Sequence, residues 1–403
     1  MDFAYDEVTE NLRTALLTFM DEMVYPNEHL FHDRPEAGDA QWERPAVMAE
    51  LKKEARDRGL WNLFLAGGHA GGAGLTNLQY APLAEITGWS PEVAPEALNC
   101  NPPDTGNMEL LTLFGTDEQK DRWLRPLLDG EIRSAYCMTE PGVSSSDASN
   151  LSLSIEDAGD EWVLNGRKWW STGAMSTDCE VFIVMGVSDP DAPPRERHSL
   201  VMVPADTPGV TRKRGLEIFG FTHGAHGGHA EVAFEDVRVP KANILGERGR
   251  GQALAQARLG PGRIHHCMRM IGMAERAIDL MCKRANERTA FGKTLADQGI
   301  VQHWIAQSRV RVDQLRLLVL QAAWLIDTVG AREARDEISA IKVAAPDTAE
   351  WVIDKAVQVF GAEGMTQDQP LAMLWAQART MRFIDGADEV HRMVVAKREL
   401  ARH

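Results

Sequence analysis

The apolar positions of this chain change period twice. Val8, Leu12, Ala15, Leu16, Phe19 and Met23 recur at the spacing of one helix face, and Met48, Leu51 and Ala55 repeat it. The glycine-rich stretch 67–74 interrupts the helical run; a third helical segment ends around 117–120, where Thr116 would cap a helix carrying Trp123 and Leu127. From about residue 134 the period falls to two. Residues 151–155 alternate, 157–160 turn and 162–164 return, which predicts a hairpin; further strands are expected at 181–185, 199–203 and 231–239. From about residue 246 the helical period resumes. Ile264, Met268, Ile271, Ala274, Ile278 and Met281 mark one long helix, Ile305, Val312, Leu315, Val319, Ala322 and Ile326 a second, and Ile338, Ile341, Ala345, Ala349 and Val352 a third. A shorter helix follows Gly386. The pattern predicts an α+β fold with an N-terminal helical domain (1–133), a middle antiparallel β-domain, sandwich or barrel (134–245), and a C-terminal up-and-down four-helix bundle (246–403).

Composition narrows the class without altering this picture. The chain has 403 residues, 44% hydrophobic and 25% charged, an ordinary globular balance. Its formal charge of −16 disfavours nucleic acid and anionic membrane as partners, because both require clustered cations. The acidic start, Met1 to Glu7, is unlike a signal or transit peptide, and no apolar run reaches membrane-spanning length. Cys100, Cys137, Cys179, Cys267 and Cys282 are odd in number and lack CxxC spacing, so reduced, buried thiols in a cytoplasmic protein are expected.

Several chemistries lose support because their motifs are missing: no G-x-G-x-x-G follows a strand, and no P-loop, H-E-x-x-H or G-x-S-x-G occurs. The informative stretch is Tyr136-Cys137-Met138-Thr139-Glu140-Pro141-Gly142-Val143-Ser144-Ser145-Ser146-Asp147, followed by Lys168-Trp169-Trp170-Ser171-Thr172-Gly173. Read from its residues alone, it is either a hydroxyl-rich loop and aromatic pair that could hold a flat polar heterocycle, or a plain turn beside a buried aromatic pair. His223, His226 and His229 are expected to lie in a glycine-rich loop rather than to bind metal, so no metal is expected. His265 and His266 follow Arg263 on a helix, where two readings stay open: facing CoA phosphates or the pocket, or a core or interface role.

Six ordered blocks then carry a resemblance. Phe114-Gly115-Thr116-Asp117-Glu118-Gln119-Lys120, the Tyr136–Gly142 block, Asn165-Gly166-Arg167-Lys168-Trp169-Trp170, Phe234-Glu235-Asp236-Val237-Arg238-Val239-Pro240, Arg288-Thr289-Ala290-Phe291-Gly292-Lys293 and Gln358-Val359-Phe360-Gly361 resemble successive signatures of the acyl-CoA dehydrogenase family. They span nearly the whole chain. The stretches 258–267 and 385–391 are similar to the subgroup of the tenth and eleventh human members, in which the dehydrogenase part follows a phosphotransferase-like domain.

The resemblance implies FAD as cofactor and an acyl-CoA substrate, converted to trans-2-enoyl-CoA by α-proton abstraction and hydride transfer. It implies Asp385 as the catalytic base, where the family usually carries Glu. Met138, Thr139, Trp170 and Thr172 would surround the flavin ring, with Ser146 near the ribityl or substrate side, and Tyr136, Gly142 and Ser145 would also bind cofactor. That loop has one residue more than the family's Glu-Pro-Gly-Ala-Gly-Ser-Asp, which leaves Ser144, Ser145 and Ser146 as alternatives for the contact. Arg288, Phe291, Gln298, Gln358, Gly361, Ala362, Ala387 and Glu389 would bind cofactor, several of them that of a neighbouring subunit in a homodimer or homotetramer. Ser146, Arg263 and Gly386 would meet substrate, and Gly260-Pro261-Gly262 would leave a roomy pocket without a second base. An electron-transfer flavoprotein is the expected acceptor, and fatty acid β-oxidation the expected setting. Two rival readings are a lyase or oxidase on this scaffold acting on 4-hydroxyacyl-CoA or its phosphorylated form, and a non-enzymatic flavin-binding assembly protein.

Overall fold

The computed structural model describes residues 4–32 and 38–403. Met1, Asp2 and Phe3, which belong to the acidic start read against a leader, lie outside the described residues. The longer helices are α1 (Glu7–Phe19), α2 (Val47–Asp57), α3 (Asn77–Thr87), α4 (Asp104–Phe114), α5 (Gly251–Glu287), α6 (Gly299–Val329), α7 (Arg335–Phe360), α8 (Leu371–Thr380) and α9 (Asp388–Leu400). The chain forms two compact units: Met1–Asp21, Leu75–Pro95 and Gly260–His403 make the first, Glu22–Gly74 and Glu96–Leu259 the second.

The first unit is helical. Asp6 caps α1 by accepting from the Thr9 amide at 2.8 Å, and its other oxygen accepts from Gln79 Nε2 at 2.8 Å, which ties α1 to the start of α3. Thr76 and Gln79 form a capping box there, and the Asp327 carboxylate accepts from the amides of Asn77 and Leu78, placing an anion on the unsatisfied N–H groups of the α3 N-terminus. Where α3 ends it meets α5 through two glycines. A Cβ on Gly88 would run into the Arg269 carbonyl, and one on Gly272 into the Glu85 carbonyl. The predicted faces of the long helices are the buried ones: Ile264, Met268, Ile271, Ala274, Ile278 and Met281 on α5, and Val312, Leu315, Val319 and Ala322 on α6. Helix α7 packs on α6, α8 and α9, with Ile338, Ile341, Ala345, Ala349 and Val352 inside. Helix α5 starts well before Ile264, through a Gly- and Arg-rich stretch without apolar periodicity, and continues through Pro261.

The second unit is built on an eight-stranded sheet: β1 (Arg133–Cys137), β2 (Ser154–Asp157), β3 (Glu161–Thr172), β4 (Cys179–Val187), β5 (His198–Pro204), β6 (Val210–Leu216), β7 (His229–Pro240) and β8 (Ile244–Leu245). The order is β6-β7-β3-β2-β4-β5-β8, and β1 also pairs with β4. Pairing is antiparallel except where β1, and at one position β2, runs parallel to β4. The expected hairpin pairs Ser154 with Asn165 and Asp157 with Trp162. Phe182, Val184, Val201, Val232, Phe234, Val237 and Val239 fill its core. Between Lys168 and Ser171 the β3–β7 register jumps, and Trp170 takes a left-handed backbone, φ 53°, in that bulge.

Below β1 lies a buried ionic cluster. Glu96 accepts from Lys52 (2.8 Å), Arg44 (3.0 Å) and Arg133 (3.2 Å), and Asp104 from Arg133 (3.0 Å) and from Ser134 through N (2.7 Å) and Oγ (2.6 Å). The three cations outweigh the burial of Glu96 and hold its carboxyl well below its ordinary range.

Candidate active site

The loop that leaves β1 is pinned from beneath by one buried ion pair. Lys168, on β3, donates to the Met138 carbonyl at 2.8 Å and to Glu140 Oε1 at 2.7 Å. Glu140 also accepts from the Ser152 amide (2.8 Å), the Ser152 hydroxyl (2.6 Å) and the Leu153 amide (2.9 Å). Burial opposes its charge, but Lys168 and these donors leave its carboxyl lowered. The Trp169 amide donates to the Thr139 carbonyl at 2.9 Å, so loop and bulge are stitched together. The result holds Met138 and Thr139 half-buried and leaves the Trp170 ring 40% exposed. Ser145 Oγ accepts from the Glu140 amide at 3.0 Å and is thus part of the loop's own scaffold, whereas Ser144 and Ser146 touch each other at 3.1 Å on an exposed edge with Gly142.

Thr172 closes this surface. Its hydroxyl is 3.0 Å from His229 Nδ1, and the His229 ring lies 5.8 Å from Trp170 and 5.4 Å from His223. Burial pushes His223 down to about 4 and His229 to about 3, so both imidazoles are neutral at pH 7. His226 instead contacts Asn101 at 3.3 Å. Among the described residues no group of three or more His, Cys, Asp or Glu is placed to hold a metal ion. The five cysteines are free, and burial pushes the Cys137 thiol up to about 11 and Cys179 to about 12, leaving poor nucleophiles. Tyr136 carries the Arg258 guanidinium over its ring at 4.4 Å; Arg258 Nε donates to Asn107 Oδ1 at 3.1 Å.

In the first unit, Asp385 sits in a turn between α8 and α9 with φ 57°, a left-handed conformation that Asp tolerates better than most non-glycine residues. Its surroundings are specific. Its carbonyl accepts from Arg263 Nε (3.2 Å) and Nη2 (3.1 Å), and His391 Nε2 lies 3.1 Å from it. Lys342 Nζ donates to the carbonyls of Met381 and Ile384 at 2.8 Å each. Gly386 follows at φ 107°, and a Cβ there would come within 2.8 Å of His391 Nε2. Asp388 is held by Arg382 at 2.7 Å and Ala387 is the α9 N-cap, while Glu389 is exposed in the first turn. Burial, then Arg263, pushes His391 down to about 4.

A third group of expected residues gathers in the same unit around a pocket of about 270 Å³ lined by Arg284, Arg288, Gln358, Phe360 and Gly361. Phe291 stands fully exposed at φ 54° on the two-stranded ribbon that follows α5, Ala362 is exposed, and Gln298 Nε2 is buried without a partner. Paired cations, an amide and an orphaned donor suit a pyrophosphate. The roles of Lys168, Glu140 and the Arg263–His391 clamp escape a reading of spacing; the one available signal was charge placed inside apolar or glycine-rich surroundings.

Comparison with known proteins follows the same order of segments. Models of the acyl-CoA dehydrogenase N-terminal, middle and C-terminal domains match residues 6–131, 135–237 and 249–400. The chain is 54% identical over its full length to a Mycobacterium tuberculosis protein named "Probable acyl-CoA dehydrogenase FadE2", of which it covers 98%. It is 46% identical over 99% of its length to rat acyl-CoA dehydrogenase family member 11, but spans only 51% of that protein. A solved Mycobacterium abscessus structure, described as a candidate acyl-CoA dehydrogenase, superposes with a TM-score of 0.96 at 49% identity, covering 99% of this chain and all of that one. Butyryl-CoA dehydrogenase from Megasphaera elsdenii, at 23% identity and a TM-score of 0.83 over 99% of this chain and all of that one, shares the fold. With all three domains matched in sequence and half its residues shared with full-length relatives, the chain belongs to the acyl-CoA dehydrogenase family.

Proposed function

We propose that the chain is an FAD-dependent acyl-CoA dehydrogenase that converts an acyl-CoA to its trans-2-enoyl-CoA, with Asp385 as base. The observation that carries this reading is the Asp385 turn: a carboxylate residue in a left-handed turn, fixed through its backbone by Arg263 and His391 while the side chain stays partly accessible. Positioning of this kind is what proton abstraction next to a thioester requires. Met138, Thr139, Trp170 and Thr172 offer an aromatic face and hydroxyls to an isoalloxazine, with Tyr136, Gly142, Ser145 and Ser146 along the loop; Arg288, Gln298, Gln358 and Gly361 offer donors to a pyrophosphate, flanked by Phe291, Ala362, Ala387 and Glu389. FAD, when bound, supplies the acceptor for the β-hydride. Asp385 takes the α-proton, and substrate that excludes water from the turn strengthens it as a base by disfavouring the carboxylate. Asp385→Asn is expected to keep FAD and bind acyl-CoA while flavin bleaching in rapid mixing slows by ~100-fold or more. Near-normal bleaching would move the base elsewhere, with Asp388 and Glu389 next to test.

The wider setting belongs to the same proposal: three domains at 1–133, 134–245 and 246–403, a homodimer or homotetramer, a cytoplasmic location, an electron-transfer flavoprotein as oxidant and a place in fatty acid oxidation. A second reading, action on a 4-hydroxyacyl-CoA or its phosphorylated form, is motivated by the likeness to family members 10 and 11, in which the matched part is about half or less of the whole protein, and by the His-rich loop at 223–229. A panel of plain, 4-hydroxylated and 4-phosphorylated acyl-CoAs, with an artificial acceptor and with oxygen, separates the two.

A further inference from the structure

Thr172 and His229 stand opposite each other where β3 pairs with β7, just past the bulge that carries Trp170. Side chains at such a pair lie on one face of the sheet, and here the Thr172 hydroxyl comes within 3.0 Å of His229 Nδ1. His229 is also paired on its other edge, with Leu216 of β6, so the imidazole rides on backbone held from both sides. The residue is 7% exposed, and its ring neighbours those of Trp170 and His223. Its Nε2 is buried and has no hydrogen-bond partner among the described residues.

A neutral imidazole carries one N–H and must place it on one of its two nitrogens. On Nε2 that N–H would meet no acceptor among the described residues, an arrangement that buried donors rarely bear; on Nδ1 it has Thr172 Oγ1. Protonating both nitrogens is opposed by burial, which holds His229 down at about 3. We infer that His229 is a positioning residue that donates Nδ1–H to Thr172 and thereby commits the Thr172 hydroxyl to act as a donor toward the flavin, an inference that rests on the reading of Thr172 as a residue at the isoalloxazine. A threonine hydroxyl alone has no such commitment, since it can donate or accept. With the imidazole reversed, the Thr172 O–H would be spent on Nδ1 and only its lone pairs would face the cofactor. The polar edge of an oxidised isoalloxazine consists mainly of ring nitrogens and carbonyl oxygens that accept, so a hydroxyl fixed as donor suits it and a hydroxyl turned inward does not.

The test uses the full chain loaded with FAD. With isotope-labelled histidine, nitrogen NMR identifies the His229 imidazole by the signals that His229→Asn removes, and its proton is expected on Nδ1; a proton on Nε2 overturns the inference. FAD affinity and the flavin absorption spectrum give a second readout. Thr172→Val removes one hydrogen bond and is expected to weaken FAD binding about tenfold and to shift the absorption band. His229→Leu is expected to weaken binding about fivefold while Thr172 is present and by less than about twofold once Thr172 is replaced by Val, because its effect passes through the hydroxyl. His229→Asn sets an amide N–H where Nδ1–H stood and is expected to bring affinity and spectrum back to within about twofold of the unaltered protein. A side chain that only fills space would weaken binding equally with and without the Thr172 hydroxyl, and that pattern overturns the positioning role. Unchanged FAD affinity and spectrum in Thr172→Val, with the proton still on Nδ1, would instead sink the placing of Thr172 at the flavin, an outcome distinct from either.

Discussion

Glu109, on α4, shows how one residue can leave a mark on the stability of the second unit. Its side chain is buried, and burial, only partly offset by Arg258, pushes its carboxyl up to about 8 from an ordinary 4.5. The folded state therefore holds a proton that the unfolded chain gives up near 4.5. Stability from this group is full below that pH and is lost as pH rises toward 8, because over that window the native state binds more protons. Glu109→Gln removes the loss: urea unfolding at pH 8.5 should show the variant more stable by several kcal/mol, on the order of 3–5, with little difference at pH 4.5. Equal midpoint shifts at both pH values would refute the assignment. Nothing in the spacing of Glu109 announces this, since its neighbours in the sequence do not include Arg258. Asp385 was legible only through the resemblance of its block to a family; on its own residues, Asp before Gly reads as a turn, which it also is. The Lys168–Glu140 pair was written out in the motif, but its function of pinning the loop depends on partners at Ser152 and Leu153 brought in by folding.

At the scale of the element, legibility follows one-sided burial. The long helices α5, α6 and α7 each bury one stripe and expose another, so their period shows. Helices α3 and α8 escaped individual prediction because they are apolar or buried on most sides: Tyr80 to Ala84, Ile86 and Thr87 of α3 are buried, and so are Leu371, Met373, Leu374, Ala376 and Ala378 of α8. A helix closed in on all sides has no polar face to set the rhythm. The parallel β1–β4 pairing was equally hidden, since alternation tells which residues face inward but not which strand lies alongside. Helix α6 shows the converse. Val310, Leu317 and Trp324 recur every seventh residue and are about half exposed, a stripe that the first unit does not cover. Given the proposed homo-oligomer, a second copy is the expected cover. Leu317→Glu with Trp324→Glu should lower the mass found by analytical ultracentrifugation while leaving helix content unchanged; an unaltered mass would place the interface elsewhere.

At the scale of the molecule, assembly and cofactor are expected to be linked. Arg288 and Gln358 line one pocket although 70 positions separate them, and the proposed function gives both to the cofactor of a neighbouring subunit. A ligand that binds only the assembled state stabilises that state by mass action. Arg288→Ala should thus release FAD more readily on dilution and lower the dissociation midpoint of the oligomer together with it, read by flavin absorbance after gel filtration. Loss of flavin with an unchanged oligomer would mean that the pocket is private to one chain. The interleaving of the two units has a consequence for biosynthesis. The first unit takes Met1–Asp21 and Leu75–Pro95 from the front of the chain and everything after Leu259 from its back. On a ribosome adding about 5–20 residues per second, α1 and α3 emerge roughly 10–30 s before the part of α5 that receives Gly88. Until then α1 and α3 have only each other to pack on, and the faces that meet α5 and α6 stay uncovered, while Glu22–Gly74 waits for the sheet. Neither unit can be completed by the time its first segment appears, so the nascent protein depends on shielding from aggregation for much of its synthesis, a demand absent from a chain whose domains are laid down one after another.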